Sequence, residues 1–503
     1  MPAFPTLLTS FLPEAARQSP DAAAIMDPHA ALSYADLARA AARIAVALEA
    51  RGVRRGDRVI LSLPNSVGFC AGFWGILHAG AVAVPLHPET PVGKLRFILD
   101  NCTPTAILAA GPGAEAARAA LNDAPALPLI DPAAFLTEGP APLLAQPPLL
   151  DRDLAAILYT SGSTGEPKGV MLSHLNMTSA ARSVAHYLGY RATDRIFTAV
   201  PMTFDYGLHQ LTMAALTGAS VVAEASFAQP FFSLKRLADS AATVLPLVPS
   251  MVPMIAPLAE RFDLSKLRLV SSTAAALHVG LIDQLERLLP AATIFSMYGL
   301  TECHRCTYLP PEELEQRRGS VGVAIPNTEL WVIDAEGQPQ RRGATGELVI
   351  RGSTVMQGYW KNPEATARRL KPGPFPGEQV LHTGDICRLD EDGFLHFVSR
   401  SDDVLKIRGE KVVPAEVEAV LAAHPEVSAV CVLGESHPVH GALCIAHVAA
   451  PPDSRDRLLA WCRARLDPHA VPGRITLHDA LPRNQNGKID RAALRTPALQ
   501  AAE

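Results

Sequence analysis

Between Leu32 and Pro85 the sequence alternates helix-length stretches, Tyr34 to Arg51 and Val67 to His78, with short apolar runs, Arg58 to Leu63 and Ala81 to Pro85. Strands that alternate with helices in this way pair in parallel, because each return to the same sheet needs a crossover. The pattern predicts layered α/β structure. Its hardest segment is Val67 to Leu86, which carries no formal charge and approaches the length of a membrane span. Gly75, His78 and Gly80 interrupt that run, and Gly80 divides a helix-like half from a β-branched half ending at Pro85. The segment therefore reads as a buried helix, a tight turn and a buried strand, with no membrane span.

An Ala-rich helical pattern continues to about Ala120, and the Pro-rich stretch Gly139 to Pro148 reads as surface linker. Beyond it, Leu154 to Tyr159, Ala219 to Ala223, Val244 to Val248, Leu267 to Ser271 and Thr293 to Ser296 are strand candidates. Glu329 to Val398 is β-rich and punctuated by glycine. Character changes again in the last hundred or so residues, with helix candidates at Pro414 to Ala423 and Arg457 to Leu466 and strands at Ala429 to Val432 and Leu443 to Ala449. A chain of 503 residues, 48% of them hydrophobic, buries more than one core. The expected architecture is α/β: a large N-terminal domain, 1–399, of layered α/β subdomains plus a β-rich subdomain, and a small mobile C-terminal α/β domain, 400–503.

A formal charge of -5 with scattered Lys and Arg gives no electrostatic footprint for nucleic acid. No basic n-region or long apolar stretch precedes Glu14, so no secretory signal is expected. Eight cysteines, spread through a chain too large to need stapling, fit a reduced, cytoplasmic setting. Cys303 and Cys306 form a C-x-x-C, but no second Cys or His pair at ligand spacing accompanies it, which argues against a zinc or redox centre.

The apolar run Leu154 to Tyr159 leads directly into YTSGSTGEPKG, Tyr159 to Gly169. The hydroxyls of Thr160, Ser161, Ser163 and Thr164 stand beside Gly162, Gly165 and Gly169, with Lys168 close by. Glycines let backbone N–H groups turn inward, and hydroxyls with an ammonium complete a cradle for phosphate. The spacing is not that of G-x-x-x-x-G-K-[ST], since Gly169 stands where the metal-binding hydroxyl belongs. Instead the segment resembles the phosphate loop of the adenylate-forming superfamily of acyl-CoA synthetases, peptide-synthetase adenylation domains and luciferases. MYGLTE (Met297 to Glu302), TGD (Thr383 to Asp385), SRSDDVLKIRGEKVVPAEVE (Ser399 to Glu418) and PRNQNGK (Pro482 to Lys488) resemble that family's later motifs, in order and across nearly the whole chain.

The resemblance implies ATP and Mg2+, and it assigns roles to residues. Tyr298 offers a flat face for adenine beside Gly299, Thr301 can hydrogen-bond a phosphate, and Glu302 can hold a magnesium ion that bridges phosphate oxygens. Ala274 and Ala275 lie in the run Ser272 to Ala276 that should line the adenine pocket, where the family often has a Gly-Gly-Glu-like run. Asp385 would accept from both ribose hydroxyls, and Arg400 would donate to the same sugar or to phosphate. Lys488 sits among Pro, Asn and Gly, a context that predicts an exposed, mobile turn. The resemblance makes it the cation between substrate carboxylate and α-phosphate, stabilising the charge that develops as pyrophosphate leaves. Asp402 occupies the hinge position about which the small domain would rotate, bringing the loop around Lys406 and Gly409 to a phosphopantetheine arm.

The segment Pro201 to Ser220 resembles the family's substrate-side strand and helix. Asp205 falls where amino-acid-activating members carry an aspartate for the substrate ammonium. A buried carboxylate needs a partner, which is either that ammonium or a neighbouring Arg. Tyr206, His209, Met297, Arg305 and Cys306 should line the same pocket. Arg305 departs from the apolar residues common there, and points to an anionic group on the substrate or to an internal pair with Asp205. The expected reaction is ATP-dependent adenylation of a small polar or amino acid and transfer of the acyl group to the phosphopantetheine thiol of a carrier protein. An acyl-CoA synthetase that uses CoA is the alternative, and a catalytically silent nucleotide-binding protein is a third. The resemblance implies a free-standing ligase, with no attached carrier, condensation or thioesterase segment expected.

Overall fold

The computed structural model describes residues 7–121, 127–137, 147–161, 166–275, 277–400, 405–407, 410–437, 441–467, 469–484 and 487–495. One sheet runs, in spatial order, Leu129–Ile130, Ala106–Ala109, Arg58–Ser62, Val82–Pro85, Leu154–Ser161, Pro167–Ser173 and Gly358–Tyr359. Its first five strands are parallel, as the strand–helix alternation requires. The last two are antiparallel to their neighbours.

A second sheet runs Ala31–Ser33, Ala23–Met26, Ser220–Ala223, Arg195–Thr198, Val244–Leu247, Leu269–Ser272, Thr293–Tyr298, Thr307–Tyr308 and Val323–Ala324. From Ala23–Met26 to Thr293–Tyr298 the strands are parallel, and their side chains are buried on both faces. Helices Tyr34–Ala50 and Val67–His78 pack on one another in the core shared by the two sheets. Their close approach depends on Gly75, where an added Cβ would lie 2.5 Å from Ile44 Cγ2. The uncharged run is thus Val67–His78, a turn through Gly80 and the strand Val82–Pro85. Among the described residues no helix is long and apolar enough to cross a membrane.

The β-rich region is an antiparallel sheet of Pro339–Gln340, Thr328–Ile333, Ala344–Gly352, Gln379–Leu389 and Leu370–Pro372, with Leu395–Arg400 paired to Gln379–Leu389. The helix Pro363–Arg369 interrupts it, started by Asn362, whose side chain accepts from Ala365 N. The small C-terminal domain has a core of its own, with Val417, Leu421, Val432, Ala446, Val448 and Leu458 among its residues. There Ala429–His437 and Gly441–Ala449 form a hairpin, and Arg474–His478 adds in parallel. Helices Pro414–Ala422 and Arg455–Arg463 contact each other beside it. The architecture is α/β, with a large N-terminal and a small C-terminal domain. All eight cysteines are buried and unbridged.

Candidate active site

The site is built at the carboxyl ends of the second sheet's parallel strands, where open α/β sheets leave a crevice. Leu269–Ser272 delivers Ser272 and Thr273, and Thr293–Tyr298 delivers Met297 and Tyr298. The Tyr298 hydroxyl donates to Asp385 Oδ2, which joins this sheet to the β-rich one. Asp385 lies opposite Arg400 in the antiparallel register, and Arg400 Nε stands 3.6 Å from Asp385 Oδ1, an ion pair too long for a hydrogen bond. Burial pushes the Asp385 carboxyl above its ordinary range, against the opposing pull of Tyr298, Arg400 and Arg369. Asp385 Oδ1, Ser272 Oγ and Thr273 Oγ1 are buried without a hydrogen-bond partner. Three orphaned oxygens beside an aromatic face fit a ligand with sugar hydroxyls and a flat base. Ala274, with φ of +77°, and Ala275 follow Thr273, whereas Ala276 lies outside the described residues.

Lys168 Nζ lies 5.8 Å from the centre of the Tyr359 ring, and the Tyr359 hydroxyl donates to Glu302 Oε1 at 2.7 Å. Met356 N donates to the Glu302 carbonyl at 2.8 Å, so Glu302 is held through backbone and side chain. Thr301 precedes it in the same turn, partly exposed. Thr160 lies across the hairpin from Lys168. Gly162, Ser163, Thr164 and Gly165, and the Ser161 side chain, lie outside the described residues. Among the described residues no group of three His, Cys, Asp or Glu side chains could hold a metal. One carboxylate nevertheless fits a magnesium ion, which binds through one or two carboxylates and takes its other ligands from phosphates and water.

On the acid side, Asp205 opens the helix Asp205–Thr217 and its Oδ2 accepts from Arg305 Nη1 at 3.2 Å. Both side chains are only 3% exposed, so this is a buried ion pair. Arg305 lies over the Tyr206 ring, 4.6 Å from its centre, and Nη1 also donates to the His304 carbonyl at 2.6 Å. The Tyr206 hydroxyl donates to Ser271 O at 2.7 Å. One turn on from Asp205, His209 meets His304 edge to face with ring centres 5.5 Å apart. Burial drives both imidazoles to the neutral form, His209 well below its usual pKa and His304 to about 3. Met297 Sδ accepts from the Tyr187 hydroxyl at 3.0 Å, and the Cys306 thiol approaches Tyr298 O at 3.7 Å. Gly299 permits this turn to fold back, since a Cβ there would sit 2.5 Å from His304 O.

Lys488 comes from the C-terminal domain and carries its Nζ to 5.3 Å from the centre of the Phe204 ring. Gly487 O accepts from Ser250 Oγ at 3.0 Å, tying the lysine's turn to the large domain. The sequence context predicts an exposed turn, and the backbone does turn at Gly487, with φ of +74°. The side chain, however, is directed inward and partly buried, because the turn faces the large domain rather than solvent. Burial lowers the Lys488 pKa; Asp205 opposes this, Arg400 and Arg305 add to it, and Glu302 opposes it. Residues separated by some 280 positions thus share one electrostatic neighbourhood.

A family model described as AMP-binding enzyme matches residues 12–360, and the AMP-binding enzyme C-terminal domain matches 416–488. The chain belongs to the AMP-binding enzyme family. It is 34% identical to feruloyl-CoA synthase of an Amycolatopsis species over 488 residues, 95% of this chain and 96% of that protein. It is 31% identical to enterobactin synthase component F of Escherichia coli over 521 residues, covering 99% of this chain but 40% of that longer protein. Among solved structures, ATP-bound MatB from Rhodopseudomonas palustris superposes with a TM-score of 0.86 at 27% identity, over 97% of this chain and 98% of that one. An o-succinylbenzoate CoA synthetase from Bacillus subtilis, solved with its acyl-adenylate intermediate, gives 0.85 at 26% identity over the same shares.

In this AMP-binding enzyme, Phe204, Tyr187, His304 and Tyr359 join the site without having been singled out in the sequence. His304 was legible only as a polar residue inside Cys-His-Arg-Cys, a signal the neighbouring Glu302 and Arg305 overshadowed. Tyr187 and Tyr359 come from elements whose approach is tertiary. Asp402 and Gly409 lie outside the described residues, and Lys406 is described only as backbone of Leu405–Ile407, opposite Lys411.

Proposed function

We propose that this AMP-binding enzyme adenylates a small polar or amino acid with ATP and passes the acyl group to the phosphopantetheine thiol of a carrier protein. A substrate carboxylate oxygen attacks the α-phosphate, giving an acyl-adenylate and pyrophosphate; the thiolate sulfur then attacks the acyl carbon and AMP leaves. The carrying observation is that Lys488, from the small domain, brings its ammonium to the Phe204 ring, next to Asp205 in sequence, where it feels the charges of Asp205, Arg305, Arg400 and Glu302. A preorganised cation there offsets the repulsion between carboxylate and phosphate and the charge that develops between them. No general base is required in the first step, because the carboxylate is already ionised at neutral pH. Magnesium, when bound, would neutralise phosphate charge, with Glu302 as its protein ligand.

Thr160, Ser161, Gly162, Ser163, Thr164, Gly165, Lys168 and Thr301 serve phosphate in this reading, and Ala274, Ala275, Tyr298, Gly299, Asp385 and Arg400 serve adenosine. The small domain, 400–503, turns about Asp402 between the two steps, exchanging Lys488 for the loop of Lys406 and Gly409. Coenzyme A as the acceptor is the second reading, favoured by the match to feruloyl-CoA synthase over nearly that protein's full length. ATP–pyrophosphate exchange over a panel of carboxylic acids tests adenylation, and its absence with every acid would promote a silent nucleotide-binding role. Thioester formation with CoA and with a phosphopantetheinylated carrier, run in parallel, separates the acceptors.

A further inference from the structure

The acid side holds a buried pair of charges whose hydrogen-bonding capacity is only partly used. Asp205 and Arg305 share one contact, Oδ2 to Nη1 at 3.2 Å, where an arginine and a carboxylate can share two. Asp205 Oδ1 and Arg305 Nη2 are buried and have no hydrogen-bond partner. The pair therefore offers one acceptor and one donor beside each other while its charges cancel. The nearby His209 Nε2 and both ring nitrogens of His304 are also buried without a partner. Leaving so many polar atoms unsatisfied is costly, and a ligand that pairs with them recovers that cost.

Charge decides which ligand can. Asp205 and Arg305 sum to zero, and Lys488 offsets the reacting carboxylate. An acid with a neutral second group keeps the buried sum at zero. A lone ammonium would add a second cation to a carboxylate already paired, and a lone second carboxylate would add an anion with the guanidinium already paired. Either leaves one buried charge uncompensated, which is disfavoured. An alkyl or aryl tail keeps the charge balance but leaves Oδ1 and Nη2 orphaned.

Resting on the adenylation reading above, we infer that the acid activated here carries a charge-neutral donor–acceptor group, a hydroxyl or a primary carboxamide, which donates to Asp205 Oδ1 and accepts from Arg305 Nη2. Asp205 and Arg305 are thereby a joint specificity determinant, and the ammonium-reading role of Asp205 is replaced by a role as half of a neutral pair.

The test is ATP–pyrophosphate exchange with acids of one carbon skeleton that differ only in the second group: hydroxyl, carboxamide, ammonium, carboxylate or hydrogen. Wild type is expected to prefer the hydroxyl or carboxamide member by at least about tenfold in kcat/KM over the other three, since sites built on buried polar groups reject analogues that leave them unpaired. Arg305→Gln frees the Asp205 charge and is expected to move the preference to the ammonium acid. Asp205→Asn frees the guanidinium and is expected to move it to the dicarboxylate. The double variant should return toward the neutral acids, and thermal unfolding with AMP binding confirms that each variant is folded. Wild-type preference for the ammonium, dicarboxylate or unsubstituted acid overturns the inference while leaving adenylation standing. No exchange with any acid overturns the adenylation reading itself.

Discussion

Lys488 presents its ammonium to the Phe204 ring in a neighbourhood shared with Asp205, Arg305, Arg400 and Glu302, and burial there makes the proton easier to lose. Lys488→Ala is expected to slow pyrophosphate exchange at least about 100-fold, roughly 3 kcal/mol, the scale of losing one preorganised charge contact. A chemically supplied acyl-adenylate should still react with the thiol, and equal loss in both half-reactions would refute the division of labour. The lowered pKa also sets a sign. In the free enzyme kcat/KM for exchange should fall as pH rises through a value below that of an ordinary lysine, and Lys488→Arg should remove this alkaline limb. Over the same window the unfolded chain holds the proton longer than the folded one, so this group makes stability rise with pH. A profile flat up to the ordinary lysine range would contradict the burial.

At the scale of elements, the helix His174–Leu188 starts with a capping box in which Ser173 and Asn176 exchange side-chain to backbone bonds. Asn176 Nδ2 also donates to Ser353 O and Val355 O, both at 2.8 Å, and the following residue, Met356, donates its N–H to the Glu302 carbonyl. The start of the helix that links Pro167–Ser173 of the first sheet to Arg195–Thr198 of the second thus holds the segment that supports Glu302. Asn176→Ala keeps the bond from its own backbone N–H to Ser173 Oγ but removes the reciprocal acceptor for Ser173 N and leaves two carbonyls unpaired, so it is expected to cost about 2–4 kcal/mol. Urea unfolding measures this, with Ser33→Ala, a cap without cross-element bonds, as the comparison at about 1 kcal/mol. Equal losses in the two variants would show that the bonds to 353 and 355 contribute nothing.

For the whole molecule, the proposed rotation needs the contact between Lys488's turn and the large domain to be breakable. The Ser250–Gly487 hydrogen bond and the approach to Phe204 are local contacts of modest strength, unlike the continuous core beneath the two large sheets. Asp402→Pro fixes φ at the proposed hinge and restricts the residue before it. Adenylation is expected to persist in that variant while thioester formation falls steeply. Normal rates for both steps would remove Asp402 as the pivot.

Periodicity and glycine placement by themselves determined the layered α/β class, since helix Val67–His78 and its flanking strands follow from local patterns of burial. Motif order likewise determined the family, because five separated motifs follow one another in a single order along the chain. The strand Arg474–His478 was not legible, for it is edge-paired, only five residues long and mostly half-exposed. Nor could the sequence choose between a substrate ammonium and Arg305 as partner of Asp205, because the two residues are one hundred positions apart and meet only when the turn after Thr293–Tyr298 folds back over the start of Asp205–Thr217. The same holds for Lys488, whose local context favours solvent. Only the packing of the small domain on the large one decides that its side chain enters the site, where the charges of other elements set its proton affinity.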